Sequence, residues 1–244
     1  MARIVFISDT HGLHNSMRYT LNRFLDPKQT NILVHSGDCT NVGKENEVIE
    51  FVQWFQNLKG FDTKIFIAGN HDFAFEQKPV WLFHYINSEN LSQSDCVYLE
   101  DEEFVIENPE FSRPIKFYGS PWQPWFYDWA FNLTRCGDEL LEKWNKIPDD
   151  TDILITHGPP FGYLDITPDN SRVGCELLEF RVKHLKPLLH AFGHIHHSYG
   201  IIESDRTFFV NGSICNERYR PINKPIAVDL REINGKMIVE YVDM

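Results

Sequence analysis

The chain has 244 residues, of which 42% are apolar, and a formal net charge of −12. This apolar content supports a sizeable buried core and excludes a disordered chain. A strongly acidic surface repels DNA and RNA, so no nucleic-acid polymer is expected as a partner. No linker-like change in composition divides the sequence, and we predict a single domain over 1–244.

Cellular location is predicted from segments that the sequence lacks. No apolar run approaches the roughly 18 residues of a membrane-spanning helix, so no membrane association is expected. The first predicted strand begins at residue 3 and leaves no room for a signal peptide ahead of it, which favours a cytoplasmic protein.

The sequence contains no C-x-x-C pair, which argues against a cysteine zinc site.

The first third of the chain alternates predicted strands and helices. The strand-like runs are Arg3–Ser8, Asn31–Gly37 and Lys64–Gly69. Between the last two, apolar residues fall on one helical face at Val48, Phe51, Val52, Phe55 and Leu58. A strand–helix–strand unit of this length implies parallel pairing within one sheet.

The middle of the chain is less regular. Glu103–Ile106 and Ile115–Tyr118 are predicted to pair as strands around an Asn108-Pro109 turn. The aromatic segment Trp122–Trp129 either covers the core between two sheets, which we favour, or stacks on a nucleobase or aryl group of a substrate. A helix with Asp138 as its N-cap follows.

The C-terminal part begins with a predicted helix over about Cys175–Lys186. Predicted strands follow at Thr207–Val210, Ile226–Leu230 and Ile238–Val242. Asn234-Gly235 indicates a two-residue hairpin between the last two strands. The pattern predicts an α/β fold whose later strands form a second, more antiparallel sheet.

Five predicted strands end in side chains that bind metals. They end at Asp9 and His11, at Asp38, at Asn70, His71 and Asp72, at His157, and at His194 and His196. In open α/β sheets the site lies at the carboxyl ends of the strands. We therefore expect one site assembled from the whole chain.

The candidate ligands combine oxygen and imidazole donors. They are Asp9, His11, Asp38, Asn70, His157, His194 and His196. This mixture favours Mn²⁺, Fe, Co or Zn over Ca²⁺ and Mg²⁺. Seven ligands exceed one tetrahedral shell and suit two ions about 3.5–4 Å apart. After two carboxylates and a bridging hydroxide, one positive charge remains; it matches a phosphodiester, although a monoester dianion could also bind.

The ordered motifs resemble those of calcineurin-like metallophosphoesterases. The motifs are Asp9-Thr10-His11, Gly37-Asp38, Gly69-Asn70-His71-Asp72, Thr156-His157-Gly158 and Gly193-His194-Ile195-His196. A closer similarity, to the metallophosphoesterase-domain-containing (MPPED) phosphodiesterases, rests on Gly37–Lys44, Pro121–Phe126, Thr156–Asp165 and Ser171–Glu176. The resemblance covers nearly the whole chain and implies a four-layer α/β/β/α sandwich with two mixed sheets.

The resemblance also implies a role for each motif residue. Asp9, His11 and His196 would hold one metal, and Asn70, His157 and His194 the other, with Asp38 bridging both. His71 would act as the acid that protonates the leaving oxygen. Asp72 would orient an imidazole from outside the ligand set. The hypothetical reaction is in-line attack on phosphorus by a hydroxide that bridges the metals.

The leading functional hypothesis is a two-metal phosphodiesterase acting on a small diester, with 3′,5′-cyclic nucleotides as one candidate and Mn²⁺ as the favoured ion. A phosphomonoesterase or protein phosphatase is the first alternative, because fold and metals do not separate these reactions. A non-catalytic nucleotide-binding scaffold is the second. Loss of a ligand would mark such a scaffold, and every expected ligand is present.

Overall fold

The computed structural model describes residues 1–86 and 95–243. In this part of the chain the strands are β1 (Ala2–Ile7), β2 (Thr30–Ser36), β3 (Thr63–Ile67), β4 (Cys96–Tyr98), β5 (Glu102–Ile106), β6 (Ile115–Ser120), β7 (Gln123–Pro124), β8 (Asn132–Leu133), β9 (Ile153–Thr156), β10 (Leu189–Phe192), β11 (Gly200–Ser204), β12 (Thr207–Asn211), β13 (Ile226–Ile233) and β14 (Lys236–Val242). The α-helices are α1 (Arg18–Leu21), α2 (Glu45–Asn57), α3 (Phe73–Gln77), α4 (Val80–Ile86), α5 (Asp138–Asn145) and α6 (Glu176–Leu185), and short 3-10 helices lie at His14–Met17, Asn22–Phe24 and His196–Ser198. No helix among these residues is long and apolar enough to span a membrane.

Two six-stranded sheets, both mixed, form the centre of the molecule. The first has the order β14-β13-β1-β2-β3-β4, with β1 to β4 parallel and β13 and β14 antiparallel to their neighbours. The second has the order β11-β12-β10-β9-β6-β5, in which the four inner strands are parallel and both edge strands antiparallel. The prediction of two mixed sheets is confirmed.

Alternation along the strands places the core on both faces of the first sheet. In β1, Ile4 and Phe6 belong to the cluster between the two sheets, whereas Val5 and Ile7 belong to the cluster that contains α2. Successive side chains of a strand point to opposite faces, so a continuous apolar run can be buried on both sides. The apolar face predicted for α2 is buried in the cluster that also contains Val5 and Ile7.

Helices α5 and α6 cover the outer face of the second sheet. Leu140 and Trp144 of α5 and Leu178 of α6 are buried in one cluster with strand residues such as Leu154 and Phe192. The order of layers is therefore helix, sheet, sheet, helix. This arrangement confirms the predicted four-layer α/β/β/α sandwich.

One helix cap and the sheet assignment of two strands differ from the predictions. Gly137 is the N-cap of α5 and has an extended backbone, so Asp138 is the first helical residue and not the cap. The hairpin at Asn234-Gly235 is confirmed, with positive φ values of 52° and 75°. The expectation that the last strands belong to the second sheet is wrong for β13 and β14. They extend the first sheet, because β13 pairs antiparallel with β1.

Candidate metal centre

The five strand ends singled out in the sequence meet at one place. The residues there are Asp9 and His11 after β1, Asp38 after β2, Asn70 after β3, His157 after β9, and His194 and His196 after β10. Strands β1 to β3 belong to the first sheet, and β9 and β10 to the second. The site is therefore shared by the two sheets.

Unusual backbone conformations present the ligands. Asp9, His11, Asp38 and His194 all have positive φ, at 51°, 43°, 54° and 66°. Residues other than glycine rarely adopt this region, and such strain is concentrated at functional sites. Main-chain hydrogen bonds tie the loops together, including 3.0 Å from the His11 amide to the Asp38 carbonyl.

Two glycines let the ligand loops approach closely. A β-carbon at Gly69 would overlap the Asp38 carboxylate and lie 2.7 Å from Cε1 of His157. A β-carbon at Gly193 would overlap the Asp9 carboxylate. The glycines in these two motifs are thus required by the packing of ligands against backbone.

The first ligand cluster consists of Asp9, His11 and His196. Asp9 Oδ1 lies 3.1 Å from Nε2 of His196, and the two imidazole Nε2 atoms lie 3.3 Å apart. Asp9 is fully buried and also accepts hydrogen bonds from the His194 amide and the Ser213 hydroxyl. Asp9 thus extends from the first sheet, and partners that follow strands β10 and β12 of the second sheet set its orientation.

The second cluster consists of Asp38, His157 and His194, with Asn70 beside them. Nε2 of His157 lies 2.9 Å from Oδ1 of Asn70 and 3.4 Å from Oδ2 of Asp38. On its other side, Nδ1 of His157 lies 2.9 Å from the Ser36 carbonyl. That carbonyl can only accept, so Nδ1 carries the proton and Nε2 faces the cluster.

Asp38 contacts both clusters. Its Oδ2 lies 3.4 Å from His157 Nε2, 3.9 Å from His11 Nε2 and 4.0 Å from His71 Nε2. Its Oδ1 accepts a hydrogen bond of 2.8 Å from the His71 amide. One carboxylate therefore stands between imidazoles that come from opposite sheets.

The donor set fits divalent cations. Both His157 and His196 use Nδ1 to bind a main-chain carbonyl and turn Nε2 toward a side-chain oxygen. Two acceptors that face each other need a proton or a cation between them, and a metal ion replaces the proton. The protein groups alone therefore leave facing acceptor atoms that a proton or a bound cation must balance.

Burial and the nearby carboxylates act in opposite directions on the pKa values of the ligand histidines. Burial alone would lower the pKa of His157, but the charge of Asp38 raises it to about 9. Burial lowers the pKa of His11 to about 4 and that of His194 to about 3. Burial would raise the pKa of Asp38, yet the imidazole of His157 holds it well below its usual value.

His71 forms a third group of possible ligands with His11 and Asp38, and it is held on three sides. Its Nδ1 donates to the Asn41 carbonyl at 2.6 Å, which leaves Nε2 directed at the site. Its ring stacks on Trp129 with 4.0 Å between centroids and meets the edge of His11 at 4.6 Å. These contacts fix the imidazole of His71 with Nε2 facing the ligand clusters.

Asp72 has different partners from those expected. Its carboxylate accepts hydrogen bonds from the amides of Cys39, Thr40 and Gly69 and from the Thr40 hydroxyl, at 2.6 to 3.2 Å. The described contacts of Asp72 go to the loops around Asp38 and not to an imidazole. Burial and the nearby charge of Asp38 raise its pKa.

A cavity of about 370 Å³ opens beside the clusters. Trp125 and Phe126 line it, and they are 62% and 44% exposed. Trp122 instead packs against two core clusters and donates from Nε1 to Asp101. It covers core as the favoured interpretation predicted, but on the outer faces of the sheets and not between them. That interpretation is wrong for Trp125 and Phe126, which face the cavity.

Tyr219 is a site residue that the sequence did not reveal. Its ring meets His11 edge-on at 4.7 Å and His196 at 5.7 Å, and it lines the cavity. Its φ of 54° is another strained value next to the ligands. It follows Asn216, whose carbonyl binds His196, but no motif in this irregular segment marked it.

Comparison with known proteins agrees with this geometry. A family model described as calcineurin-like phosphoesterase matches residues 2–198. The chain belongs to the calcineurin-like phosphoesterase family. It is therefore assigned to the metal-dependent phosphoester hydrolases, and its Asp and His clusters could hold their divalent metals.

Two curated relatives and one solved structure illustrate the similarity. The chain is 42% identical over 246 residues to metallophosphoesterase domain-containing protein 1 of Homo sapiens, covering 93% of this chain and 71% of that protein. It is 34% identical over 248 residues to a UPF0046 protein of Caenorhabditis elegans, covering 96% and 83%. Phosphopantetheinyl hydrolase of Mycobacterium tuberculosis shares the fold, with a TM-score of 0.57, 15% identity and coverage of 89% and 91%.

Proposed function

We propose that this chain is a phosphodiesterase that hydrolyses small phosphodiesters, with cyclic nucleotides among its candidate substrates. The position of Asp38 between the two clusters is the observation that carries the proposal. A carboxylate shared in this way suits two divalent ions a few ångströms apart. Mn²⁺ is the favoured ion because the ligands mix carboxylate, amide and imidazole donors.

The ligands divide between the two ions as the clusters do. Asp9, His11 and His196 would hold one, and Asn70, His157 and His194 the other, with Asp38 common to both. Bound there, the ions would supply a nucleophile from water at neutral pH and neutralise the phosphoryl oxygens. Buried carbonyl and carboxylate partners keep the ligands in orientation before any ion arrives.

The charge of such a site favours a diester. Two divalent ions carry four positive charges, of which Asp9 and Asp38 offset two and a hydroxide nucleophile a third. The single remaining charge matches a phosphodiester monoanion, whereas a monoester dianion would be left with excess negative charge. A monoesterase with the same ligands is the alternative.

His71 is proposed as the general acid. Because Nδ1 donates to the Asn41 carbonyl, a second proton would lie on Nε2, next to the departing ester oxygen. The indole of Trp129 stacks on the His71 ring and limits its rotation. Asp72 is proposed to support catalysis indirectly, by fixing the loop that carries Asp38.

The test compares a diester with a monoester that has the same leaving group. Protein loaded with Mn²⁺, with its metal content measured, is assayed on bis(4-nitrophenyl) phosphate and on 4-nitrophenyl phosphate. We expect the higher kcat/KM for the diester, and then measurable turnover of 2′,3′- or 3′,5′-cyclic nucleotides. Faster hydrolysis of the monoester would favour the alternative, and hydrolysis of neither would favour a scaffold.

A further inference from the structure

Gln123 occupies an unusual position on the wall of the cavity. It lies in β7, where its amide donates to the Phe131 carbonyl at 3.0 Å. Its side chain is almost fully buried, with 1% of the residue exposed, yet it lines the cavity together with Gly158 and Phe126. No step proposed above uses it.

Neighbouring hydrogen bonds fix the orientation of the Gln123 amide. Asn132 donates from Nδ2 to the Tyr127 carbonyl at 2.7 Å and accepts from the Phe126 amide at Oδ1, at 3.1 Å. Its oxygen therefore faces Gln123 at 3.4 Å, and the facing atom of Gln123 must be the donor Nε2. The acceptor Oε1 is left over.

This Oε1 atom has no hydrogen-bond partner among the described residues. It lies on the side of Gly158, where a β-carbon added to the glycine would come within 3.9 Å of it. Buried side-chain oxygens in folded proteins are nearly always paired. An unpaired acceptor on a cavity wall therefore indicates that a bound ligand supplies the hydrogen-bond donor.

Other polar side chains of this wall already have partners. Arg135 donates to the carbonyls of Val173 and Gly174 and to Glu176. His197 pairs with Glu217 at the mouth. They are thus less available to a ligand than the unpaired oxygen of Gln123.

The remaining wall is aromatic and adjoins the second cluster. The ring of Phe126 meets His194 edge-on with 5.1 Å between centroids, and Trp125 continues the surface outward. A phosphoryl group held at the clusters would bring its ester substituent against these rings. Flat aromatic walls with a few placed polar atoms are typical of sites for planar heteroaromatic groups.

We propose that Gln123 is a specificity-determining residue, whose Oε1 accepts a hydrogen bond from an N–H or O–H on the organic part of the phosphodiester. The substrate class is a diester with a planar heteroaromatic group and such a donor, as in a cyclic nucleotide. The inference rests on the proposed phosphodiesterase function, which it deepens by assigning the contact that selects the ester group.

The test replaces Gln123 by Met or by Leu, two apolar residues of similar size. For 3′,5′-cyclic AMP, kcat/KM should fall about 10- to 100-fold, because a site built to bind a polar group discriminates strongly when the bond is lost. For bis(4-nitrophenyl) phosphate, which has no N–H or O–H donor, kcat/KM should stay within about threefold. The exposed Gln77→Met serves as the matched control and should change neither value.

Thermal unfolding separates specificity from a structural role. Both Gln123 variants lose an unpaired buried oxygen and the long 3.4 Å contact from Nε2 to Asn132, whose Oδ1 still accepts from the Phe126 amide. Their Tm should therefore stay close to that of the wild type. An equal loss of activity on both substrates would overturn the proposal, and so would unchanged activity on both.

Two analogues identify the donor. The analogue of 3′,5′-cyclic AMP without the 2′-hydroxyl removes the ribose O–H, and the purine analogue removes the exocyclic N–H. One of the two should be hydrolysed equally well by the wild type and by Gln123→Met. Sensitivity of both analogues to the substitution would contradict a direct hydrogen bond.

A binding measurement keeps this inference separate from the proposed reaction. Calorimetry on the Mn²⁺-loaded protein compares AMP with phenyl phosphate. Gln123→Met should raise the Kd for AMP about 10-fold or more and change the Kd for phenyl phosphate by less than about threefold. If the wild type hydrolyses no diester but shows this binding pattern, the proposed reaction fails and the Gln123 contact stands. An equal rise in both Kd values, or no change in either, would overturn the contact.

Discussion

The two ligand clusters are buried to a similar degree but differ in how they hold protons. Each cluster has two buried members and one half-buried histidine, His196 in the first and His194 in the second. Both His11 and His157 are buried, yet the pKa of His11 falls to about 4 and that of His157 rises to about 9. Burial acts in the same direction on both.

The surroundings of the two imidazoles explain the difference. Nε2 of His157 lies 3.4 Å from Oδ2 of Asp38, and Nε2 of His11 lies 3.9 Å from it. For His157, the contact with Asp38 and the hydrogen bond to the Ser36 carbonyl together outweigh desolvation. For His11 they are missing or weaker: Nδ1 has no partner among the described residues, and the charges of His71 and His196 oppose a proton. The comparison teaches that depth alone does not decide the charge of a ligand histidine.

The largest effect is expected from removing the charge that the clusters share. Asp38→Asn should lower kcat/KM for bis(4-nitrophenyl) phosphate by about 10³-fold, because several kcal/mol of charge stabilisation depend on the bound ions. Metal content measured by elemental analysis should fall at both clusters. The exposed Asp138→Asn is the control, and activity of Asp38→Asn within tenfold of wild type would refute a bridging role.

The next effect tests the residue beside the first cluster. His71→Asn should lower kcat by about 10² for a diester with an alkyl leaving group, since general acid catalysis contributes about that much or more. The loss should be under about tenfold for a 4-nitrophenyl leaving group, which needs little protonation. Equal losses for both leaving groups would argue for a binding role instead.

Metal content should separate the two clusters. His11→Asn and His157→Asn each remove one ligand from one cluster. The affinity of that cluster for its ion should fall by more than the roughly 10–100-fold typical of losing a partner that only supports a ligand. After dialysis each variant should retain close to one ion per chain, against two for the wild type. Loss of both ions from either variant would mean that the clusters do not bind separately.

The smallest effect concerns a buried histidine that belongs to neither cluster. His14 packs against Phe51 and Trp54, neither ring nitrogen has a partner among the described residues, and burial lowers its pKa to about 4. The unfolded chain binds a proton as pH falls below about 6.5, and the folded chain does so only near 4. His14 therefore costs up to about 1.4 kcal/mol of stability per pH unit in that window.

His14→Leu should make metal-free protein more stable at pH 5 and flatten the loss of stability between pH 7 and 5. The free energy of unfolding in urea, measured at both pH values, checks this. The exposed His184→Leu is the control. An unchanged pH dependence in His14→Leu would show that His14 is not held neutral by burial.

Sequence alone determined which residues could form the site. Asp9, Asp38 and His157 each follow a short apolar run, and such runs specify buried strands through their local composition. Because a strand end is a local property, the ligands and the α/β class were accessible from the pattern and from the family resemblance. The roles of the individual ligands remain predictions.

Tertiary structure decided which distant segments meet. The alternation in Ile226–Ile233 is compatible with either sheet, and only pairing with β1, more than 200 residues away in sequence, placed it in the first. The same holds for Tyr219 above the imidazoles and for the partners of Asp72. The unpaired oxygen of Gln123 depends on the orientation of Asn132. Such contacts rest on geometry between remote segments, which a one-dimensional pattern does not encode.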